Sequence, residues 1–150
     1  MKTVKNELSI TLFCAREVGV KAFETLVKLG VDIDKVVTKK SKDCKKIISL
    51  AKRLNIPVLA DVNLNHYSVQ KTISENGPGV AISVSYPNIV PKKVLRIYKG
   101  RSFNFHPAQL PTYRGCLPTV WPILNGDKTC LLYTSPSPRD MRRSRMPSSA

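Results

Sequence analysis

The chain has 150 residues, a formal net charge of +15 at pH 7, 42% hydrophobic residues and 23% charged residues. This length fits one domain, and no apolar run approaches the ~20 residues that a membrane-spanning helix requires. The polar N-terminus lacks the apolar stretch of a signal peptide, so the sequence predicts a soluble, cytoplasmic protein without a membrane partner.

Cysteine spacing and the basic charge bear on possible ligands. The four cysteines show no C-x-x-C spacing and no accompanying histidine cluster, which predicts reduced thiols and no metal site. The charge has two open interpretations. Lysines that neutralise phosphates give sequence-independent binding to nucleic acid, whereas lysines on a helix surface are more commonly a solvated face. The lysines concerned are Lys39, Lys40, Lys42, Lys45, Lys46 and Lys52.

Short apolar runs alternate with longer amphipathic segments along the first hundred residues. The runs predict strands at 8–13, 33–38, 57–60 and 80–84. The amphipathic segments predict helices after the first strand, after Ser41 and Asp43, at 64–75 and at 92–98. The first helix is expected to turn one apolar face inward, made of Val18, Ala22, Leu26, Phe23, Val27 and Leu29.

This alternation of strands and helices predicts an α/β fold with a doubly wound, mostly parallel sheet. In such sheets ligands bind beyond the carboxyl ends of the strands, where the loops 85–91 and 104–115 are expected. The turn after the first strand lacks the G-x-G-x-x-G pattern, which argues against a dinucleotide cofactor.

The segment 104–115 has the most distinctive chemistry in the chain. Residues 101–105 alternate as a strand, which predicts Phe103 and Phe105 on one face and Asn104 and His106 on the other. A carboxamide and an imidazole on one face can converge on one bound atom. Pro107 then ends the strand, so the following residues form a loop with backbone groups available to a ligand.

This segment resembles the signature Asn-x-His-Pro-x-x-Leu-Pro-x-Tyr-Arg-Gly of the N10-formyltetrahydrofolate-dependent formyltransferases. That family includes methionyl-tRNA, glycinamide ribonucleotide and sugar-nucleotide formyltransferases. The resemblance extends from residue 8 to about residue 129 and implies a Rossmann-like formyltransferase fold. The matching positions are Asn104, His106, Pro107, Leu110, Pro111, Tyr113, Arg114 and Gly115, followed by Trp121, Ile123, Leu124, Asn125 and Gly126.

The resemblance implies a role for each matching site residue. Asn104 and His106 would be catalytic, stabilising the oxyanion of a tetrahedral intermediate and handling a proton. Arg114 would anchor the loop or the acceptor substrate. The folate pocket would be lined by Ser85, Tyr86, Asn88, Ile89, Val90, Leu110 and Pro111.

Simpler structural interpretations stay open for several of these residues. His106 could be an ordinary histidine at a strand end, and Ile89 and Val90 could be core residues. Trp121 and Leu124, at helical spacing, are expected in the core rather than at a ligand. His66 is expected at the surface.

The sequence departs from the family pattern after Thr129. The family carries a further catalytic aspartate in an Asp-x-Gly segment downstream of the histidine, and neither Asp127 nor Asp140 matches it. We therefore expect a truncated N-terminal formyltransferase domain over 1–129, incomplete at its C-terminal side and deficient in catalysis. Residues 130–150 are expected to be disordered and resemble a translated sequencing adapter, with a natural basic tail as the alternative.

The expected activity is transfer of a formyl group from N10-formyltetrahydrofolate, as co-substrate and without a metal, to an acceptor amine. The acceptor would be methionyl-tRNA or a nucleotide-linked amino sugar. Two alternatives remain: a hydrolase that releases formate from the same folate, and a non-catalytic basic nucleic-acid-binding module.

Overall fold

The computed structural model describes residues 9–75, 79–115 and 118–127. The chain divides into two compact units, Met1–Phe105 and His106–Ala150, and each is described by itself. The expected turn at 76–78 and the expected tail from residue 130 lie outside the described residues. The division into a domain over 1–129 and a separate tail therefore stays a prediction.

The first unit contains a five-stranded sheet in which every neighbouring pair is parallel. The strand order is β3-β2-β1-β4-β5, so the chain leaves β3 at one edge and returns beside β1 as β4. The strands are β1 (Ile10–Cys14), β2 (Ile33–Thr38), β3 (Val58–Ala60), β4 (Val80–Val84) and β5 (Ser102–Phe105). This confirms the predicted α/β fold with a doubly wound parallel sheet.

Four α-helices accompany the described part of this sheet, and one more lies in the second unit. They are α1 (Arg16–Lys28), α2 (Lys45–Arg53), α3 (Tyr67–Ser74), α4 (Lys92–Ile97) and α5 (Val120–Leu124). A short 3-10 turn, Lys42–Cys44, precedes α2. Ser41 stands at the start of that turn and forms no side-chain cap hydrogen bond.

Both faces of the sheet are covered, because successive residues of β1 enter two different apolar clusters. Leu12 packs with Phe23 of α1 and Ile47 of α2 in the first cluster. Phe13 packs with Ile73 of α3 and Val94 of α4 in the second. All five residues of β1 are buried, as expected of a central strand with helices on both sides.

The face that α1 turns inward agrees with the prediction at Ala22, Phe23, Leu26 and Val27, which are buried in or pack against the first cluster, but not at the two ends of the helix. Val18 is 61% exposed and Leu29 is 72% exposed, whereas Gly19, Val20 and Phe23 are buried. A Cβ added at Gly19 would lie 3.1 Å from Cβ of Cys14, so the glycine is where the helix approaches β1 most closely. That approach directs Gly19 at the sheet and turns Val18 towards solvent.

Lys35 forms a buried ion pair within β2 and connects that strand to α3. Nζ of Lys35 lies 3.0 Å from the carboxylate of Asp34, and the two side chains are 4% and 9% exposed. Lys35 also donates to the carbonyl oxygens of Thr72 and Ile73, at 3.1 and 3.0 Å. Asp34 accepts a hydrogen bond of 2.9 Å from the hydroxyl of Thr11. The ammonium group therefore satisfies the C-terminal carbonyls of α3 from inside the fold.

Candidate active site

The loop after β4 leaves the carboxyl edge of the sheet in a tight backbone conformation. Ser85, directly after β4, has a φ of +53°, a left-handed conformation that is uncommon for a residue other than glycine. Ser85 and Tyr86 are half-buried, whereas Asn88 is exposed. Because all five strands are parallel, this loop lies at the same edge as the ends of β1, β2 and β3.

Tyr86 anchors this loop to the sheet. Its ring meets the ring of Phe13 edge to face, with centroids 5.7 Å apart and an interplanar angle of 68°. Burial raises the pKa of the Tyr86 hydroxyl, and the Asn88 side chain opposes that shift through a hydrogen bond. The phenol therefore stays protonated at neutral pH and can act as a hydrogen-bond donor.

The rest of the loop divides between solvent and core. Ile89 is 92% exposed, so the interpretation of Ile89 as a core residue is wrong. Val90 is partly buried and packs against the second apolar cluster. The Ile89 side chain is therefore exposed at the surface of this unit, whereas that of its neighbour Val90 is not.

An ion pair that the sequence analysis missed joins the ends of β2 and β3. Nζ of Lys39 lies 2.7 Å from Asp61 Oδ1, and the backbone N–H of Lys40 donates to Asp61 Oδ2 at 2.9 Å. The hydrogen bond to Lys39 lowers the pKa of Asp61, and the same bond raises the pKa of Lys39. A negative carboxylate and a positive ammonium are thereby held at the carboxyl edge of the sheet.

Asn104 lies on β5, the outermost strand of the described sheet, opposite Ser83 of β4. Its side chain is exposed, and so are its neighbours Phe103 and Phe105, at 49% and 61%. His106 follows β5 and opens the second unit. The predicted convergence of Asn104 and His106 on one atom therefore stays a prediction.

In the second unit, His106 is half-buried and its ring is fixed by a backbone contact. Nε2 of His106 lies 2.6 Å from the carbonyl oxygen of Tyr113. A carbonyl oxygen only accepts hydrogen bonds, so Nε2 must carry the proton in this contact. The interaction leaves Nδ1 as the ring nitrogen that can exchange a proton.

Tyr113 is held at its side chain as well. Its hydroxyl donates to Oδ2 of Asp127 at 2.5 Å and accepts from the Asn125 side-chain amide at 3.2 Å. The bond to Asp127 raises the pKa of Tyr113. One oxygen of the Asp127 carboxylate thus accepts from a phenol, and the expectation that Asp127 is not the further catalytic aspartate of the family stays a prediction.

The proline-rich part of the loop carries the remaining predicted residues. Leu110 is 56% exposed, and the peptide bond between Leu110 and Pro111 is cis. Arg114 is exposed, and its Nε donates to the carbonyl oxygen of Pro111 at 3.0 Å. Of the two roles left open for Arg114, this contact supports bracing of the loop.

Helix α5 contradicts one prediction. Trp121 is 50% exposed and Leu124 is 69% exposed, so the prediction that they belong to the core is wrong for the described structure. The buried residue of this short helix is Pro122 instead. One side of Trp121 contributes to a cavity of about 260 Å³, which is also lined by Thr112, Tyr113, Arg114 and Asn125.

The predicted residues thus fall into two groups. Within the first unit the structure brings Ser85 and Tyr86 to the sheet edge that also holds Lys39 and Asp61. Within the second unit it brings His106 to Tyr113, while Arg114 braces Pro111. His66 is exposed, as predicted, and its Nδ1 lies 2.8 Å from the hydroxyl of Ser68.

Two further properties concern metals and membranes. Within 9–75, 79–115 and 118–127, no three His, Cys, Asp or Glu side chains are grouped so that they could hold a metal ion. None of the helices in the described part of the chain has the length and apolar character needed to cross a membrane.

The fold is shared with solved enzymes of one-carbon chemistry. A phosphoribosylglycinamide formyltransferase from Bacillus halodurans matches with a TM-score of 0.65 and 21% identity, over 81% of this chain and 68% of that chain. A formyltetrahydrofolate deformylase from Pseudomonas syringae pv. tomato str. DC3000 also gives a TM-score of 0.65, with 20% identity, over 84% of this chain and 44% of that chain. These likenesses define the fold class.

Sequence comparison defines the family. The model of the family described as "Formyl transferase" matches residues 21–130, which is most of the chain. The bifunctional polymyxin resistance protein ArnA of Wigglesworthia glossinidia brevipalpis is 32% identical over 128 residues, which cover 81% of this chain. The chain belongs to the formyl transferase family. The matched part of the chain corresponds to 20% of the length of that ArnA relative.

Proposed function

We propose that this chain binds N10-formyltetrahydrofolate and that its site serves formyl transfer to an acceptor amine. The observation that carries the proposal is the family match over residues 21–130, which includes both Asn104 and His106. The anchored loop after β4 and the fixed imidazole of His106 support it. Both are preorganised elements of the kind that acyl transfer requires.

The proposed reaction moves one carbon between two nitrogens. The acceptor amine attacks the formyl carbon, and the carbonyl electron pair moves onto oxygen to give a tetrahedral oxyanion. The Asn104 amide donates a hydrogen bond to that oxygen, and the imidazole of His106, once its free Nδ1 has taken the proton lost by the amine, stabilises the oxyanion through its positive charge. The bond from carbon to N10 then breaks, the carbonyl re-forms, and the proton lost by the amine passes to N10 by way of Nδ1 of His106.

Two segments are assigned to the folate, each on its own observations. The loop 85–90 offers the half-buried phenol of Tyr86, its own backbone groups and the exposed apolar surface of Ile89. In the second unit, Leu110 and Pro111 offer exposed apolar surface. A pterin ring needs flat apolar contacts together with a few hydrogen-bonding groups, and these two segments supply both kinds.

We propose an acceptor that carries a primary amine together with phosphate, which fits methionyl-tRNA and a nucleotide-linked amino sugar alike. The phosphoribosylglycinamide formyltransferase among the structural neighbours is named for an acceptor with the same two features. Arg114, as an exposed guanidinium beside the loop, is the proposed contact for the acceptor if its bond to Pro111 opens.

Hydrolysis of the formyl folate is the second candidate, because a deformylase shares the fold. Hydrolysis differs only in the nucleophile, which would be water. Incubating the chain with N10-formyltetrahydrofolate, with and without an amine acceptor, separates the two reactions. Formate as the product under both conditions identifies the hydrolase, whereas a formylated amine identifies the transferase. The nucleic-acid-binding alternative gains no support from the family match.

Donor binding is tested by titration calorimetry with N10-formyltetrahydrofolate and with tetrahydrofolate. We expect the formylated ligand to bind more tightly, and Asn104→Ala to reduce that preference by roughly two- to tenfold, the value of one hydrogen bond. Asn65→Ala, at an exposed asparagine elsewhere in the first unit, is the matched control. Equal binding of both ligands to the unaltered chain would overturn the proposal.

A further inference from the structure

The second unit contains a set of contacts that ends on the imidazole of His106. We propose that Tyr113, Asn125 and Asp127, here called the Tyr113 clasp, are positioning residues that hold His106 with its proton on Nε2. This inference rests on the proposed function, in which His106 exchanges a proton through Nδ1. The resemblance assigned no role to these three residues.

Within the Tyr113 clasp, each hydrogen bond of the Tyr113 hydroxyl has a defined donor and acceptor. A phenol has one hydrogen to donate, and here it goes to Oδ2 of Asp127 at 2.5 Å. The oxygen lone pair of the phenol accepts from the Asn125 amide at 3.2 Å. Hydrogen bonds to a carboxylate are shorter and stronger than bonds between neutral groups, so Asp127 is the stronger of the two holds on Tyr113.

The backbone of Tyr113 connects the restrained side chain to His106. The Tyr113 N–H donates to the carbonyl oxygen of Gln109 at 2.9 Å, and the Tyr113 carbonyl accepts from Nε2 of His106 at 2.6 Å. Side chain, N–H and carbonyl of one residue are thus all engaged, and Tyr113 is 8% exposed. These bonds fix the backbone on both sides of the Tyr113 Cα and so direct its carbonyl oxygen at Nε2, which keeps the histidine in one tautomer.

The partners of Tyr113 are themselves fixed at the end of α5. The N–H of Asn125 donates to the Trp121 carbonyl, and the N–H of Asp127 donates to the Pro122 carbonyl, both at 2.9 Å. Gly126, between them, has a φ of +70°, a conformation that glycine adopts without strain. The Asn-Gly-Asp turn therefore places an amide and a carboxylate side by side for the phenol.

Nuclear magnetic resonance of the imidazole nitrogens tests this proposal without requiring catalysis. The chain has 2 histidines, so the spectrum of the 15N-labelled protein contains one signal set for His106 and one for the exposed His66. We expect His106 to show a proton on Nε2 that exchanges slowly with water. In Tyr113→Phe, which removes only the hydroxyl, that exchange should accelerate by about tenfold, since a hydrogen bond to a charged group has been lost.

Controls separate positioning from general damage to the fold. Tyr67→Phe removes a hydroxyl from a tyrosine that is 78% exposed on α3 and should leave the His106 signal unchanged. Asp127→Asn retains a side-chain acceptor and should give a smaller acceleration than Asp127→Ala. If Tyr113→Phe broadens the backbone amide signals, as a partly unfolded chain would, the two Asp127 variants decide the question.

Unchanged exchange of the His106 proton in Tyr113→Phe and Asp127→Ala, with the amide spectrum intact, would overturn the proposal. A His106 that carries its proton on Nδ1 in the unaltered chain would do the same. Failure of N10-formyltetrahydrofolate to bind, measured separately by calorimetry, would instead count against the proposed function and leave the tautomer result standing.

Discussion

The ring of Tyr86 meets the ring of Phe13 edge to face at a centroid distance of 5.7 Å, which ties the loop after β4 to the central strand β1. Phe13 is 1% exposed and belongs to the cluster that also contains Ile73 and Val94. The proposed folate loop is therefore attached to the best-packed part of the first unit, and its conformation should depend on that contact.

Replacing Tyr86 by alanine should weaken binding of N10-formyltetrahydrofolate. An edge-to-face aromatic pair contributes about 0.5–1.5 kcal/mol beyond its buried area, which corresponds to a loss of roughly two- to tenfold in affinity. Tyr86→Phe keeps the ring and serves as the matched variant, so calorimetry on the two separates the ring from the hydroxyl. Equal affinity for both variants and the unaltered chain would remove Tyr86 from the folate site.

The 150-residue chain should bind the donor but transfer its formyl group poorly. Neither Asp127 nor Asp140 stands in the Asp-x-Gly context that the resemblance associates with the further catalytic aspartate. The measurement is formation of formylated amine per enzyme against a full-length member of the family under the same conditions. Comparable turnover by this chain would refute the expected deficiency.

Lys35→Met should destabilise the first unit by about 3–5 kcal/mol, because it leaves Asp34 as an uncompensated buried charge. The double variant Asp34→Asn with Lys35→Met should recover part of that loss. Lys21→Met is the control, since the Lys21 side chain is 72% exposed and its replacement should stay within about 0.5 kcal/mol. Urea unfolding measures all three, and a small effect of Lys35→Met alone would show that the pair is not buried as described.

The Lys39–Asp61 pair should make stability depend on pH at both ends of the scale. The pKa of Asp61 is lowered in the folded state, so its contribution is present above the unfolded value of about 3.9 and is lost as pH falls through the folded pKa. The pKa of Lys39 is raised, so its contribution is present below the unfolded value of about 10.4 and is lost as pH rises through the folded pKa.

Asp61→Asn tests this dependence, since asparagine tolerates the φ of +55° at this position and can still accept from the N–H of Lys40. Unfolding midpoints of the variant and the unaltered chain should differ near neutral pH and converge in acid. Asp43→Asn, which removes a charge from an exposed position in the neighbouring turn, should show no such convergence. Parallel pH profiles for Asp61→Asn and the unaltered chain would mean that the pair does not form in solution.

The parallel sheet could be predicted from sequence because each strand carries a local signal. Residues 80–84 are a nearly continuous apolar run, and four of the six residues at 33–38 are β-branched; the structure places β4 and β2 at those positions. The inward face of α1 could not be read as reliably. Apolar spacing placed Val18 on the inward face, whereas the close approach of Gly19 to Cys14 turns Val18 towards solvent.

For the candidate site, the sequence predicted which types of residue take part but not which of them contact each other. The signature gave Asn104, His106 and Arg114, but Tyr113 appeared in it simply as a matching letter. Its hydrogen bonds to Asn125 and Asp127 connect residues more than ten positions apart. Hydrophobic periodicity reflects only local spacing and cannot predict such pairs. The Asn-Gly-Asp turn after α5 was the one visible signal, because it places two polar side chains beside a glycine.

For Trp121 and Leu124 the sequence made a prediction, and that prediction was wrong. Helical spacing grouped them as one apolar side of α5, but both residues prove to be exposed and Pro122 is the buried residue. The Lys39–Asp61 pair was missed for the same reason as the Tyr113 clasp. The two residues meet because β2 and β3 are neighbours in the sheet, which is a property of topology rather than of local sequence.

The strand order also sets a sequence of events during synthesis of the chain. β1 receives β2 on one edge and β4 on the other, with Ile10 opposite Val80 and Cys14 opposite Val84. A ribosome that has delivered the first three strands therefore holds a nascent chain in which β1 still presents an open edge. Such an edge can pair with other polypeptides, and the emergence of β4 closes it on the central strand.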